Sequence, residues 1–522
     1  MTFPSVLFAG AAGPADPPVP ATPDCLIDLN LDQIIAGCTA GRERHHLPAD
    51  YTCALRDEAV ILDRQRVFQD IGRGALRAGL DRFAGRMDRV RRELAQADAL
   101  RHRYQVARWR VDAAADYRTA VVDLQADLRA ADLRSAGLRA VRDMLAALIA
   151  GAPFRTLDAD LDAIRPALAG IRYQLHITDN RVQVRPGGGT PDYTDAVTAT
   201  FARFRQGEVG NHLVAFPDLP AMNHVEEGVL DLVAEIYPEV FAELDRFSGR
   251  HAHLIDDEVA GFDRDIQFFL GYLDYTAPLE RAGLPFCYPT FDRPADSRDR
   301  RFEAIDTFDL ALAAALTRSG SAPPVRNDVT LTGGERILLV TGPNNGGKTT
   351  LARTVGQLHH LARLGLPVPG ANARVLLCDN LFTHFARPET AGAGHGKLQD
   401  ELVRMHEILQ QATGRSVLVL NELFTSTTLA DAILLGRQVI RSLVEKDVVA
   451  VYVTFIDELA GEADSIVSMV ATVPDDDPTA RTFRVVRRPA DGTAHARALA
   501  VRHRLTYRQL TQRIPTRVPV PS

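Results

Sequence analysis

The chain has 522 residues, of which 46% are hydrophobic and 24% charged, and its formal net charge is −7. This composition is typical of a globular protein with room for about three or four domains, and the charge argues against attraction of the whole molecule to nucleic acid or membrane. No run approaches the roughly 18 apolar residues of a membrane-spanning helix. Five cysteines without a Cys-x-x-Cys pair favour a reducing, cytoplasmic location.

The N-terminal region is predicted to be mostly helical. Residues 1–24 are rich in Ala and Pro and are predicted to be a disordered tail. A long helical stretch is predicted at about residues 74–150, because apolar residues from Leu76 to Ala97 are alternately four and three positions apart, as in a coiled-coil seam. The alternation breaks near Leu100 and then resumes.

Arginine outnumbers the acidic residues in this helical stretch. Residues 71–150 contain 16 Arg against 10 Asp and Glu. Two interpretations remain open. The arginines belong either to a solvated helix face or to an arm that contacts phosphates through residues such as Arg101, Arg103, Arg108 and Arg110.

A small β-rich insertion is predicted at about residues 151–215. Within it, the segment Arg172–Arg185 alternates apolar and polar residues around Asp179, which is typical of a β-hairpin. Helix is expected to return afterwards. The proline-containing run from Pro285 to Pro294 is predicted to be the linker that ends a helical region spanning residues 25–290.

The remainder, residues 291–522, alternates strands and helices in the α/β manner. Its short apolar runs are rich in β-branched residues, and they lie at Val375–Cys378, Val417–Leu420 and Ala450–Thr454. Such runs are typical of the buried strands of a mostly parallel sheet.

A glycine-rich loop joins a predicted strand to a predicted helix. The apolar run Ile337–Val340 precedes Gly342, and Gly347, Lys348 and Thr349 lead into the helix. The pattern Gly-x-x-x-x-Gly-Lys-Thr in this context is a phosphate-binding loop, whose backbone N–H groups and helix dipole attract phosphate. We expect Lys348 to reach the β and γ phosphates and the Thr349 hydroxyl to bind Mg²⁺.

A second polar pair follows the apolar strand at residues 416–420. In a loop-type ATPase we expect this strand to lie beside the phosphate-loop strand, where it supplies one carboxylate to Mg²⁺ and another to the attacking water. Here Asn421, a neutral ligand, takes the first position. Glu422 takes the second and is the candidate base or water-positioning residue.

The segment TGPNNGGKTT resembles the phosphate loop of the MutS family of DNA mismatch-repair ATPases, because Pro343-Asn344 stands before the glycine pair. Val325–Asp328 is similar to the family's segment that packs on adenine, and Asn421–Asp431 is similar to a run that continues into a loop facing a partner subunit. The resemblance covers most of residues 320–510. More loosely, residues 25–290 are similar to the family's core and lever helices.

The resemblance implies the fold class α + α/β, with a helical core and lever in the N-terminal half followed by a P-loop α/β ATPase domain with ABC-type features. It implies ATP and Mg²⁺ as cofactors, ATPase activity coupled to DNA binding, and a homodimer formed through residues 291–522. The residues expected to bind the nucleotide are Asn327, Gly342, Pro343, Asn344, Asn345, Gly346, Gly347, Lys348, Thr349 and Thr350. Thr349, Asn421 and Glu422 are expected to hold the metal, and Glu422 to be catalytic.

Three positions depart from the family's pattern. Asn421 replaces an acid on the Mg²⁺ strand, and Phe455 replaces a histidine thought to sense phosphate. Leu398 lies where the family's composite-site signature carries a serine, so it cannot donate a hydroxyl to a partner's γ-phosphate. We therefore expect nucleotide binding with slow hydrolysis, and Lys397 or His395 could substitute electrostatically for the missing hydroxyl.

Two expectations concern the partner. Because only about 24 residues precede the helical core, we expect no mispair-reading domain and a preference for DNA shape rather than for mispairs. The alternative is an ATP-gated structural or scaffold protein of the transporter-ATPase or chromosome-structure class, which acts on protein partners. A steep salt dependence of DNA binding would favour the first interpretation, because contacts with phosphates release counterions.

Overall fold

The computed structural model describes residues 5–10, 19–72, 75–179, 181–187, 222–292, 300–387, 396–474, 481–490 and 505–513. The chain forms two compact units. The first unit comprises Met1–Asp70, Arg134–Leu138 and Arg264–Ser522, and the second comprises Ile71–Leu133 and Arg139–Asp263. These compact units differ from the domains predicted above, whose boundaries stay a prediction.

The helices and strands are numbered in chain order. The α-helices are α1 Pro23–Asp28, α2 Leu31–Thr39, α3 Pro48–Thr52, α4 Glu58–Ile71, α5 Leu76–Ala99, α6 Arg103–Ala130, α7 Ala136–Ala150, α8 Ala152–Ala169, α9 His224–Ile236, α10 Pro238–Arg250, α11 Asp257–Arg281, α12 Leu310–Arg318, α13 Lys348–Arg363, α14 Lys397–Gln411, α15 Leu429–Glu445 and α16 Tyr507–Arg513. The strands are β1 Val19–Pro20, β2 Cys53–Ala54, β3 Tyr173–Thr178, β4 Arg181–Pro186, β5 Phe286–Cys287, β6 Thr290–Asp292, β7 Phe302–Thr307, β8 Asn327–Leu331, β9 Ile337–Thr341, β10 Val368–Pro369, β11 Asn372–Leu376, β12 Leu381–Phe385, β13 Val417–Asn421, β14 Val449–Val453, β15 Ile466–Ala471 and β16 Val485–Arg487.

In the second unit, α5 and α6 pack against each other as an antiparallel pair. The predicted seam is confirmed, since Leu80, Phe83 and Met87 are buried. The predicted helical stretch is confirmed as three consecutive helices. It is divided among α5, α6 and α7, and the break in the heptad pattern near Leu100 marks the end of α5.

The predicted β-rich insertion is helical in its first part, because α8 spans Ala152–Ala169. The predicted hairpin is confirmed as the antiparallel pair β3–β4, in which Tyr173 lies opposite Pro186. All six residues of β3 are exposed. The rest of the predicted insertion, from residue 188 onward, lies outside the described residues.

The first unit contains a six-stranded sheet and a four-stranded sheet. The larger has the order β12-β13-β14-β9-β15-β16 and is parallel except where β16 runs antiparallel to β15. The smaller has the order β6-β11-β7-β8 and is mixed. We expected the run at Val375 in the parallel sheet, but it is part of β11 in the smaller sheet. There β11 pairs in parallel with β6 and antiparallel with β7. The run Pro285–Pro294 is not a simple linker either, since it contains the paired strands β5 and β6.

Residues 5–10 are packed within the first unit, which corrects the predicted disordered tail for this part of it; residues 1–4 and 11–18 lie outside the described residues. Val6 and Leu7 are fully buried. The Ser5 hydroxyl donates a hydrogen bond to the buried Asp265 carboxylate, and Arg64 Nε donates one to the carbonyl oxygen of Leu7 at 2.8 Å. This short apolar segment is ordered because its side chains and its backbone both have buried partners.

Further N-terminal residues line the helix that follows the phosphate loop. Four side chains of α13 donate hydrogen bonds of 2.8 to 3.2 Å to backbone carbonyl oxygens of that region: Arg353 to Asp28, Gln357 to Leu29, His360 to Tyr51 and Arg363 to Leu55. Buried carbonyl groups need such partners. The α13 helix is therefore held on one side by the beginning of the chain.

Within the described ranges, no helix has the length and the apolar character needed to cross a bilayer.

Candidate nucleotide-binding site

The phosphate loop lies between the fully buried strand β9 and helix α13. Gly342 and Gly347 have φ angles of 118° and 95°, which side chains other than glycine rarely adopt. A Cβ atom at Gly342 would also lie 2.9 Å from the carbonyl oxygen of Ala471. Gly342 is thus required both by its backbone conformation and by the lack of space, and Gly347 by its conformation. The backbone of the loop turns directly into the N-terminus of α13.

The Lys348 side chain lies over the loop itself. Its Nζ donates to the carbonyl oxygens of Gly342 at 2.9 Å and Pro343 at 3.0 Å, and it lies 4.4 Å from the centre of the Phe455 ring. Burial lowers the pKa of Lys348, and attraction to Glu422 partly opposes that shift. An incoming phosphate could replace the two carbonyl contacts with stronger charge-assisted hydrogen bonds.

Strand β13 brings the second polar pair to the loop. We expected β13 to lie beside β9, but β14 lies between them in the sheet. The carboxyl ends of parallel strands nevertheless meet at one edge, and Thr349 Oγ1 donates a hydrogen bond to Asn421 Oδ1 at 2.9 Å. The structure therefore brings Thr349 and Asn421 together as predicted from the sequence.

The oxygen atoms at this edge suit Mg²⁺, which prefers hard oxygen ligands. Thr349 and Asn421 supply a hydroxyl and an amide oxygen, and Glu422 follows directly in the chain. Among the described residues no group of three His, Cys, Asp or Glu side chains could hold a metal ion. A cation here would need phosphate oxygens and water as its further ligands, which is how Mg²⁺ is usually bound beside nucleotides.

A cavity of about 1020 Å³ opens over the loop. Its polar lining includes Lys348, Thr349 and Glu422, and it also contains the predicted residues Asn327, Asn344, Asn345, Gly346, Gly347 and Thr350. Apolar side chains line the same cavity, namely Leu312, Leu316, Pro323, Pro324 and Val325. A lining with both charged and apolar groups suits the phosphates and the base of a nucleotide.

Asn327 has a structural task in addition to its predicted place near the base. Its Nδ2 donates to the carbonyl oxygen of Phe483 at 3.1 Å, and its Oδ1 accepts from the N–H of Val485 at 2.8 Å. Both polar groups of the amide are therefore engaged with the backbone that leads into β16. Direct contact of Asn327 with a base stays a prediction.

Three residues of this region were missed by sequence reasoning. Phe483 lines the cavity with 49% of its surface exposed, and Arg481 Nε donates to the carbonyl oxygen of Asn344 at 2.9 Å. Glu401 on α14 accepts a hydrogen bond from the N–H of Phe424. None of them belongs to a local motif, since each is brought to the site from a distant part of the chain.

The positions that depart from the family pattern also have defined places. Phe455 lines the cavity and covers the Lys348 ammonium group. Leu398 packs against the hydrophobic core beneath β13, and Lys397 begins helix α14. The other suggested substitute, His395, lies outside the described residues.

Comparison with known proteins identifies the region that contains this site. Residues 338–494 match the family model of MutS domain V. The DNA mismatch repair protein MutS of Oleidesulfovibrio alaskensis is 31% identical over 155 residues, which are 30% of this chain and 17% of that protein. The endonuclease MutS2 of Gemmatimonas aurantiaca is 28% identical over 207 residues, 38% of this chain and 25% of that protein.

A third relative agrees with these two. MutS of Erythrobacter litoralis is 32% identical over 153 residues, 29% of this chain and 17% of its own length. The chain thus spans a quarter or less of each of these relatives. The matched region carries the phosphate loop, Asn421 and Glu422. Residues 338–494 are thus similar to domain V of MutS proteins, which is a P-loop ATPase domain.

Proposed function

We propose that the protein binds and hydrolyses ATP at the cavity over the phosphate loop. The observation that carries this proposal is that Lys348, Thr349 and Glu422 line one cavity together with several apolar side chains. The hydrogen bond between Thr349 and Asn421 adds the oxygen pair suited to Mg²⁺. A bound Mg²⁺ would neutralise charge on the phosphates.

Each polar side chain has a separate task in this proposal. Lys348 exchanges its two loop carbonyls for oxygens of the β and γ phosphates. Glu422 orients the attacking water and accepts a proton from it. Asn421 holds the Thr349 hydroxyl but carries no charge, so we expect a weaker metal site and slower hydrolysis than with an acid at that position.

The test of this proposal is direct. ATP binding by the purified chain is measured by calorimetry with and without Mg²⁺, and phosphate release is measured under the same conditions. We expect binding in the micromolar range, where loop-type ATPases commonly work, and turnover that requires Mg²⁺. Absence of ATP binding at millimolar concentrations would contradict the proposal.

We further propose that ATP binding is coupled to binding of DNA. The exposed side chains Arg155, Arg165, Arg181 and Arg185 on α8 and the β3–β4 hairpin support this proposal, because none of them forms an ion pair with an acidic residue among those the structure describes. Available arginines on one unit are the feature that phosphate contacts require. Discrimination between mispaired and perfect duplex stays a prediction from sequence.

The arginines named earlier on α6 provide weaker support. Arg103, Arg108 and Arg110 each lie beside an aspartate, namely Asp245, Asp112 and Asp98. This pairing favours the solvated-face interpretation of the arm. It is also the observation that keeps the alternative function open, a nucleotide-gated scaffold that acts on protein partners.

Salt dependence separates the two functions. DNA affinity is measured at several salt concentrations between about 50 and 200 mM, with and without an ATP analogue. For contacts with several phosphates we expect the logarithm of affinity to fall by about 0.9 per contact for each tenfold rise in salt. Binding that is absent or insensitive to salt would favour the scaffold.

Finally, we propose a homodimer that forms through the first unit. The loop Thr425–Thr428 is largely exposed, and it leads into α15, where Leu429 and Leu434 are 65% and 68% exposed. Exposed apolar side chains that form a continuous patch mark a surface that a partner covers, and Leu429 and Leu434 are the candidates for such a patch on α15. Light scattering at concentrations well above micromolar should give twice the monomer mass with an ATP analogue, and a Leu434→Asp variant should lower the dimer fraction.

A further inference from the structure

The turn that carries Glu422 has an unusual backbone. Glu422 and Phe424 both have left-handed conformations, with φ angles of 55° and 59°. Residues other than glycine adopt this conformation rarely, and it persists only where the surrounding structure holds it. The position of the Glu422 side chain therefore depends on whatever fixes this turn.

Two hydrogen bonds hold the turn. The N–H of Glu422 donates to the carbonyl oxygen of Val453 at 2.9 Å, which continues the pairing of β13 with β14. The N–H of Phe424 donates to Glu401 Oε2 at 3.0 Å. The second bond comes from outside the sheet, because Glu401 lies on α14. The bond from Glu401 holds Phe424, the second of the two left-handed residues.

Burial of the Glu401 carboxylate lowers the stability of the folded chain, which is unusual for a residue with only a structural role. Only 6% of its surface is exposed, and in the part of the chain that the structure describes its other oxygen, Oε1, is buried without a hydrogen-bond partner. A buried carboxylate with one unpaired oxygen opposes folding. Such a group in a folded protein needs an explanation, and a role at a catalytic site is one of those known.

We propose that Glu401 is a positioning residue for Glu422. By accepting the N–H of Phe424, it holds the strained turn in the conformation that directs the Glu422 carboxylate into the nucleotide cavity. Glu401 itself does not line that cavity among the described residues. This inference rests on the proposed ATP hydrolysis, and it adds that the strength of catalysis is set partly from helix α14.

The test separates the reach of the side chain from its charge. Glu401→Gln keeps an acceptor oxygen at the same distance from the backbone but removes the charge. Glu401→Asp keeps the charge but shortens the side chain by one methylene group, so the acceptor no longer reaches Phe424. Glu407 lies on the exposed face of the same helix, and Glu407→Asp is the matched control.

Two readouts are needed. For Glu401→Asp we expect kcat to fall by about tenfold or more with KM unchanged, because a small misplacement of a catalytic group slows chemistry without weakening binding. Glu401→Gln and Glu407→Asp should stay within about threefold of wild type in kcat, since both leave the bond to Phe424 in place. Hydrogen exchange of the peptide that contains residues 421–428 should become faster only in Glu401→Asp.

Several outcomes would overturn the inference. If Glu401→Asp matches wild type, or if Glu401→Gln loses as much activity as Glu401→Asp, the role is not the one proposed. If hydrogen exchange of residues 421–428 were unchanged in Glu401→Asp, Glu401 would not hold the turn. A wild-type chain that binds no ATP would instead overturn the proposed function, and the exchange measurement would still decide whether Glu401 holds the turn.

Discussion

Lys348 and the arginines of α5 and α6 are all cations, yet different groups lie beside them. Within the described residues, Lys348 hydrogen-bonds to two backbone carbonyl oxygens and lies over an aromatic ring. In contrast, Arg86 and Arg118 contact aspartates on neighbouring helices, Asp123 for the first and both Asp158 and Asp162 for the second. The number of cations in a segment therefore does not tell how many are available to a ligand.

The difference between these cations is how far neighbouring groups neutralise the charge of each one. Ion pairs at a solvated helix surface contribute little to stability, but they do neutralise the local potential. Among the described residues Lys348 forms no ion pair, although Glu422 attracts it from a distance. Burial lowers its pKa, so a bound anion would stabilise the ammonium group. We therefore expect ligand binding to respond strongly to changes at the loop and weakly to changes at the paired arginines.

The largest effect is expected at Lys348. Lys348→Ala should lower ATP affinity by more than about a hundredfold, because it removes the charge that contacts the β and γ phosphates. Lys446→Ala is a suitable control, since Lys446 is exposed at the end of α15. Calorimetric titration with ATP provides the measurement. Equal ATP affinity of both variants would mean that Lys348 does not contribute more to ligand binding than an exposed lysine.

Glu422→Gln should come next. We expect ATP affinity to be retained while kcat falls by about a hundredfold, because the amide cannot accept the proton of the attacking water. Single-turnover phosphate release measures the chemical step apart from product release. Glu445→Gln on the exposed end of α15 serves as control. If Glu422→Gln hydrolysed ATP as fast as wild type, Glu422 would not be the base.

A moderate effect is expected for the hairpin arginines. Combined replacement of Arg181 and Arg185 by Gln should weaken DNA binding by about tenfold and reduce the salt slope by roughly two, because two phosphate contacts are lost. The matched variant replaces Arg108 and Arg110, which already lie beside aspartates. Fluorescence anisotropy with a labelled duplex compares them. A larger loss in the matched variant would show that paired arginines do bind DNA.

The extent of successful prediction depended on distance along the chain. Gly342 and Lys348 lie in one continuous motif, and Asn421 follows a strand whose position at the sheet edge is set by a general rule. Glu401, Phe483 and the pairing of Arg118 were not predictable, because each depends on contacts between segments far apart in sequence. The buried Val6 was missed for the same reason, since its segment is ordered through Arg64 and Asp265.

The smallest effect concerns stability in acid. Burial lowers the pKa of His359 and of His360 to about 4, against an ordinary value of 6.5. Between pH 6.5 and 4 the unfolded chain therefore binds more protons than the folded chain, and stability falls as the pH is lowered through this window. We expect each histidine to cost on the order of 1–2 kcal/mol at pH 5.

The measurement for this prediction is the melting temperature at pH 7.5 and pH 5. The matched variant is His360→Gln, which can still donate to the carbonyl oxygen of Tyr51 but does not titrate. Its melting temperature should fall less than that of wild type between the two pH values. An equal fall in both proteins would mean that other groups govern the response to acid.

The contacts between α13 and the beginning of the chain have a consequence for synthesis on the ribosome. Gln357 donates to the carbonyl oxygen of Leu29, which is 328 residues earlier in the sequence. At about 5–20 residues per second, Leu29 is made roughly 16 to 66 seconds before its partner. Throughout that interval α1, α2 and α3 can pack against one another, but the α13 side chains that hydrogen-bond to Leu29 and Tyr51 have not yet been made. The surface that α13 covers at the beginning of the chain is thus exposed until much of the first unit has been made, and slow translation would lengthen that exposure.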